Sequence, residues 1–349
     1  MAQDFGVAIP VIALVLAAFT VPYGLLQLVV GPVADRVGKA RVLITALLAY
    51  AAATAGCAMA QSVEMLTVLR AMSGGASAGL IPVCLAYIGD TTPYQDRQLT
   101  LSRFLAGVVF AQILAGPIGG VFGEFISWRG VFVCLAVAAV VLAAGFSLHL
   151  RRHPPQPPTA TQRPGYAGLL RHRSIGLLLL TAFDGVVFTG TIPFIAPYLH
   201  EQFGLSFAMT GIVLAFFGIG TLIYVRGAPW LIPRLGEPGL VAIGALFSAV
   251  GMIIAALGND SAWIVVAEIS LGLGYFMLHS VLQARATEML PDARSIATSA
   301  FAFMLFMGQA AGTLLCVSLM AYIGYRGLFA VNACGMLLLG ALLWRFLRV

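Results

Sequence analysis

The fold class predicted for this sequence is an all-α polytopic membrane protein, and three observations predict it. First, 60% of the 349 residues are hydrophobic and 9% charged, against roughly 25% charged in a soluble domain. Second, the apolar residues come in runs of about 20 separated by short polar breaks, the length a helix needs to cross ~30 Å of hydrocarbon. Third, the cations are lopsided. Of 19 basic residues, Arg129 and Arg326 fall on one side of the runs, Arg70 and Arg226 lie within them, and the rest fall on the other side. Lysine and arginine in excess mark the cytoplasmic face. The net charge of +6 is therefore a topology signal, and its distribution argues against a nucleic-acid partner. The expected surroundings are the lipid bilayer of the inner (plasma) membrane.

Taken in order, spans are expected at 8–30, 42–60, 65–88, 99–122, 129–149, 175–198, 208–231, 238–257, 262–283, 298–321 and 327–347, eleven in all. The first ends at a charged stretch, Gly31 to Arg41. Glycine at its start and Pro32 within it are expected to stop one helix before the next begins. Arg36, Lys39 and Arg41 place that stretch in the cytoplasm. The first apolar run is too long, and lacks the basic flank, for a cleavable signal peptide. Between the fifth and sixth spans, residues 151–173 carry five prolines and five arginines. They read as a flexible cytoplasmic linker between an N-terminal bundle (1–150) and a C-terminal six-helix bundle (174–349). The five cysteines lie in apolar runs without paired spacing, so neither a disulfide framework nor a metal site is expected.

The two halves are repeats. Phe5-Gly6 matches Phe203-Gly204, Gly31 matches Gly227, Gln112 matches Gln309, and Trp128-Arg129-Gly130 matches Tyr325-Arg326-Gly327, all at offsets of 196 to 198 residues. Asp90 to Pro93 followed by Arg97 likewise resembles Glu288 to Pro291 followed by Arg294. Both copies keep the same side of the membrane, as in a parallel repeat about an axis along the membrane normal. The sixth span has no counterpart in the first half. The expectation is a twelve-helix design lacking its first helix, through a misplaced start or a truncation.

These residues resemble the major facilitator superfamily, whose members carry twelve helices in two six-helix bundles. Gly31, Asp35, Arg36, Gly38 and Lys39 resemble its signature between helices two and three. Leu69-Arg70-Ala71 with Gly74 and Gly75 resembles its helix-four motif with an intramembrane arginine. Gly107, Gly116, Pro117, Gly119 and Gly120 resemble the helix-five motif of its drug–proton antiporters. The resemblance implies a latch in which Asp35 meets the start of helix eleven near Ala297 and Thr298; the topology, which puts Asp90 at the inner end of its span, adds an expected pairing of Asp90 with Lys39 or Arg36 in the same latch. The resemblance also implies an exporter that exchanges small organic molecules for protons by alternating access, using a proton gradient and no cofactor, as a monomer.

Several residues are candidates on their own chemistry. Asp35 could equally be a solvated helix cap. Arg70, about six residues into its span, either snorkels or faces a cavity or partner, since intramembrane charge is costly. Glu268 occupies the repeat-equivalent position, and the two could face each other across a cavity. Asp184, about ten residues into its span, must hold its proton or find a partner. Arg70, Asp184 and Glu268 are the candidates for proton and substrate coupling. His279 reads as a hydrogen-bonded helix histidine that could also titrate. Gln27, Gln112, Tyr275, His279, Gln309 and Asn332 are candidate cavity-lining groups. The glycines from Gly107 to Gly120 are expected to form a close-packing face, with Pro117 bending the helix into a hinge.

Catalysis is not expected. Gly75-Ala76-Ser77-Ala78-Gly79 matches a hydrolase elbow in letters, but lies mid-span, where small-residue packing accounts for it. No metal, phosphate or redox motif appears. The alternatives to proton-coupled export are an importer or facilitator of a sugar or other metabolite, and a truncated membrane protein that transports nothing.

Overall fold

The computed structural model describes residues 1–152, 166–290 and 294–348. Most of the expected linker, with its five prolines, and Pro291 of the repeat lie outside the described residues. The short α1 (Ala2–Phe5) leads into α2 (Ile9–Val37), α3 (Lys39–Ala58), α4 (Val63–Ser77), α5 (Leu80–Thr91), α6 (Tyr94–Val121) and α7 (Trp128–Arg152). Then come α8 (His172–Asp184), α9 (Ile195–Phe203), α10 (Phe207–Leu257), α11 (Ser261–Glu288) and α12 (Arg294–Arg348). No strand occurs among the described residues.

Nine helical stretches among the described residues are long and apolar enough to cross a membrane. Two of them are outsized. α10 has 51 residues, or about 77 Å at 1.5 Å per residue, more than twice the hydrocarbon thickness. α12 has 55. Each holds one residue outside helical conformation, Gly236 (φ 60°, ψ 177°) in α10 and Gly324 (φ 63°, ψ −176°) in α12. Positive φ of this kind is open to glycine at little cost and closed to most side chains. The apolar side chains left on the outside, such as Val137, Val141 and Leu142 of α7, suit a chain whose solvent is lipid.

One expectation is corrected. Gly31 and Pro32 do not end a helix; α2 runs through both to Val37. Proline inside a helix forfeits one backbone bond, and membrane helices tolerate that because neighbouring groups re-satisfy the freed carbonyl. The stop lies at Gly38, whose φ of 102° breaks the helical path, and whose N–H caps Ala34 O at 2.9 Å. Lys39 then opens α3 directly. The expected third span is one membrane-length stretch, Val63–Thr91, within which α4 ends at Ser77 and α5 starts at Leu80. Ser77 Oγ donates to Gly74 O at 3.0 Å, so this buried hydroxyl is spent on its own helix.

The chain divides into two compact units, residues 1–108 with 127–166, and residues 109–126 with 167–349. In the first unit, Val15, Cys57, Leu66 and Phe132 form one buried cluster and Ala34, Leu43 and Val83 another. The second unit has a larger core, from Leu177 to Leu343, in which Tyr198, Leu278 and Met336 are fully enclosed.

The 198-residue offset recurs inside the two units as matched geometry. The left-handed glycines Gly6 and Gly38 have counterparts in Gly204 and Gly236. Ser62 Oγ caps Met65 N–H at the start of α4, and Asp260 Oδ1 caps Ala262 N–H at the start of α11. Arg129 donates to Ala60 O at 3.0 Å, and Arg326 to Gly258 O at 3.3 Å, so each arginine sits on the carbonyl end of an earlier helix, where a cation is favoured by the helix dipole. A Cβ on Gly74 would lie 2.1 Å from Phe19 O, and one on Gly272 would lie 1.9 Å from Phe217 O. Two pairs of helices thus touch backbone to backbone at matched glycines, which only a missing side chain allows. The amino terminus is anchored as well. Trp128 Nε1 and Arg129 Nη1 donate to Asp4 Oδ2 at 2.7 and 3.2 Å. The Trp128 hydrogen bond above all, with Arg129 beside it, holds the Asp4 carboxyl below its ordinary range.

Candidate functional site

The second unit contains a cavity of about 200 Å³. Glu268 of α11 contributes its acid, Gln112 and Gly116 of α6 one wall, and Phe188, Phe217 and Phe329 the aromatic surface. Glu268 is 2% exposed, and its Oε1 has no hydrogen-bond partner among the described residues. A polar atom so placed is costly unless something fills its bonding capacity. Thr191 also lines the cavity, but its hydroxyl is committed to Val187 O at 3.0 Å.

A second buried acid lies in the same unit. Asp184 closes α8 and is fully buried. His279 of α11 places Nδ1 2.9 Å from Asp184 Oδ2, while Oδ1 has no partner among the described residues. The ring of His279 stacks on Tyr275 at 4.7 Å, and Tyr275 stacks on Phe188 at 4.2 Å. Phe188 belongs to both settings, since it also lines the cavity. Glu268, Tyr275 and His279 follow one another on α11 at seven and four residues, a spacing that keeps them on one helix face.

What holds Asp184 in place is a seam of glycines. Directly after it comes a π-helical turn, Gly185–Thr189, a wider coil found mostly at functional positions. A Cβ on Gly185 would lie 2.3 Å from Leu305 O, one on Gly308 2.0 Å from Ala182 O, and one on Gly312 2.3 Å from Val186 O. α8 and its π turn therefore lie hard against α12, which fixes where the Asp184 side chain points.

The other candidate residues have definite surroundings. Arg70, in the first unit, places its guanidinium carbon 4.3 Å above the Phe19 ring and 5.8 Å from that of Phe132, distances at which a cation is attracted to an aromatic face. No carboxylate of that unit lies within salt-bridge distance of it among the described residues. Lys39 bridges Asp35 at 3.4 Å and Asp90 at 2.5 Å; of the two cations considered for Asp90, the structure pairs it with Lys39. The second unit has a bond of the same kind with its signs exchanged, Arg285 Nε to Glu237 Oε2 at 2.5 Å.

Of the expected cavity-lining groups, Gln112 lines the cavity described here. Tyr275 and His279 belong to the ring stack behind it. Asn332 is buried and donates to Leu328 O of its own helix. The backbone nitrogen of Gln309 packs against Gly185, 2.8 Å from where a Cβ there would stand. Gln27 is buried in the first unit, against Tyr23. Sequence reasoning missed Phe188, Phe217 and Phe329 as site residues, because a phenylalanine in an apolar run carries no signal separating cavity from lipid.

The helix-five glycines are not one face. A Cβ on Gly116 would lie 2.7 Å from Gly211 O, and one on Gly120 2.3 Å from Phe207 O, whereas Gly107 and Gly119 have nothing within 4 Å. Gly116 and Gly120, one turn apart, are the pair that lets α6 and α10 touch. We expect Gly120→Ala to cost about 1–3 kcal/mol by overpacking and Gly119→Ala to stay within about 0.5 kcal/mol. Thermal melting of the detergent-solubilised variants checks this, and equal melting temperatures would refute it.

A multi-pass helical protein with buried acids around a cavity of small-molecule size has the architecture of a membrane transporter. The chain belongs to the Major Facilitator Superfamily, whose family model matches residues 1–313 and again 177–349. A chloramphenicol resistance protein of Streptomyces lividans is 26% identical over 328 residues, covering 92% of this chain and 83% of that protein. Among solved structures, the peptide transporter POT in complex with sulfate superposes with a TM-score of 0.83 at 18% identity, over 99% of this chain and 87% of that one. The nucleoside transporter NupG superposes with a TM-score of 0.78 at 14% identity, over 100% and 93%. At such identities the structural likeness speaks for the fold.

Proposed function

We propose that this protein is a secondary active transporter that exports small organic molecules in exchange for protons, by alternating access between two helical bundles. The observation that carries the reading is Glu268, a buried acid whose Oε1 has no partner among the described residues, lining a cavity within the membrane-spanning part of the chain. Charge at that depth is expensive and is retained where it binds or moves something. The similarity to a chloramphenicol resistance protein supports export. In this reading Arg70, Asp184 and Glu268 couple protons to substrate. The charged cluster of Asp35, Lys39 and Asp90, with Gly31, Arg36 and Gly38, is the latch made in one conformation and released in the other. The glycine–proline segment from Gly107 to Gly120 is the hinge. α10 and α12 each cross the membrane twice, with Gly236 and Gly324 at the bends, for eleven crossings. The bundles divide near residues 150 and 174. The chain sits as a monomer in the inner membrane, with 31–41 and 151–173 in the cytoplasm.

Everted membrane vesicles test this. With an acid lumen, vesicles containing the protein should accumulate labelled chloramphenicol above vesicles without it, and a protonophore should abolish the difference. Accumulation by intact cells above an empty-vector control would instead favour the importer reading, which the likeness to peptide and nucleoside transporters keeps in view. Failure to move any of a panel of organic solutes in either direction would refute transport.

A further inference from the structure

We infer that the cavity of the second unit takes an organic ammonium ion whose cation sits between Glu268 and the Phe217 ring. The inference rests on the transport reading above and names the ligand class of that site. The internal repeat carries the argument. Arg70 and Phe19 of the first unit stand 198 residues before Glu268 and Phe217. In the first unit the Arg70 guanidinium covers the Phe19 ring at 4.3 Å. The backbones around the two pairs match, because Gly74 meets Phe19 O as Gly272 meets Phe217 O. At the second copy the ring is kept, but the residue that supplies the cation has become an acid.

The second copy therefore sets an acid where the first sets a cation, and no cation of the chain lines its cavity among the described residues. Glu268 is buried, lines the cavity, and has an oxygen without a partner. Phe188 lies 6.1 Å from Phe217, ring centre to ring centre, and Phe329, 1% exposed, closes the aromatic surface. An ammonium group satisfies both vacancies together, since it donates to the carboxylate through a charge-assisted bond and lies over an aromatic face. Apart from Gln112 and Thr191, whose hydroxyl is bonded to Val187 O, the rest of the lining is apolar, so the ligand's remainder is a mainly apolar or aromatic body that fits about 200 Å³. A neutral alcohol of the same shape fills the space but leaves the acid without its counter-charge. Asp184 does not compete for the ligand, being already bonded to His279.

The test uses the whole protein in lipid nanodiscs, with 3-phenylpropylamine and 3-phenylpropanol as probes, corrected against empty nanodiscs at pH 7. Wild type should bind the amine saturably, about tenfold or more tighter than the alcohol, the margin typical of one bond to a charged group. Glu268→Gln should remove that preference and leave alcohol binding within about twofold. Phe217→Leu keeps the apolar volume, and should weaken the amine while sparing the alcohol, so it decides the matter should Glu268→Gln fail to fold. Equal affinity of wild type for amine and alcohol, or a preference that survives both substitutions, overturns the inference. Vesicle transport of chloramphenicol separates the two claims. Transport without amine preference sinks the ligand class alone, and amine preference without transport of any solute sinks the transport reading alone.

Discussion

Replacing His279 with leucine is expected to cost the second unit about 1–3 kcal/mol, the cost typical of leaving a buried hydrogen-bonding group without its partner. The reason is what it strands. Asp184 is fully buried, its Oδ1 has no partner among the described residues, and Nδ1 of His279 is the group that meets Oδ2. The seam of Gly185, Gly308 and Gly312 against α12 prevents α8 from rotating the carboxyl towards water. Asp184→Asn keeps an oxygen that can meet the histidine, so it should cost less, about 0.5–1.5 kcal/mol. The double change Asp184→Leu with His279→Leu should recover part of the loss, because no buried polar group of the pair is left without its partner. Melting temperatures in detergent, combined in a double-mutant cycle, measure this directly. A His279→Leu protein that melts with wild type would show that the pair contributes nothing to stability.

The second large effect is expected at the matched glycines. Gly74→Ala and Gly272→Ala would each place a methyl carbon about 2 Å from a carbonyl oxygen of the facing helix, Phe19 in one unit and Phe217 in the other. Neither neighbour is a flexible side chain that can step aside, so the helices must part. Each substitution should cost about 1–3 kcal/mol. Valine at either position should prevent recovery of folded protein. The comparison within one chain sharpens the test, since Gly107→Ala adds the same methyl where nothing lies within 4 Å and should be close to neutral. Yield and monodispersity after solubilisation would report the difference. If Gly272→Ala and Gly107→Ala behave alike, the close helix contact is absent in the membrane.

The substitutions are informative because different kinds of fact lie behind them. That Glu268 and Asp184 are buried was legible in the sequence, since a single carboxylate inside 20 apolar residues has no water to reach. The repeated Trp/Tyr-Arg-Gly triplet was legible as a landmark of the duplication, whereas the carbonyls that Arg129 and Arg326 meet, Ala60 O and Gly258 O, were not. Pro32 misled, because a rule drawn from helices in water was applied where neighbouring groups can take over the freed carbonyl. Gly38, seven residues after Gly31, carried the stop. The helix-five glycines misled more subtly. Four of them share a segment, but their spacing puts Gly116 and Gly120 on one side and leaves Gly107 and Gly119 facing open space.

By itself the sequence determined the class of protein, its membrane-length apolar runs and its duplicated halves. These follow from hydropathy, charge and spacing, which act locally along the chain. Only the tertiary structure decided that His279 answers Asp184 across 95 residues, that Glu268 Oε1 has no partner among the described residues, and that three phenylalanines line the cavity beside Gln112, one of the expected polar groups. Those outcomes depend on how far each helix is rotated and shifted against its neighbours. Lipid solvates every apolar face equally well, so helix rotation is set by close packing and by a few buried polar contacts. Both are properties of pairs of helices.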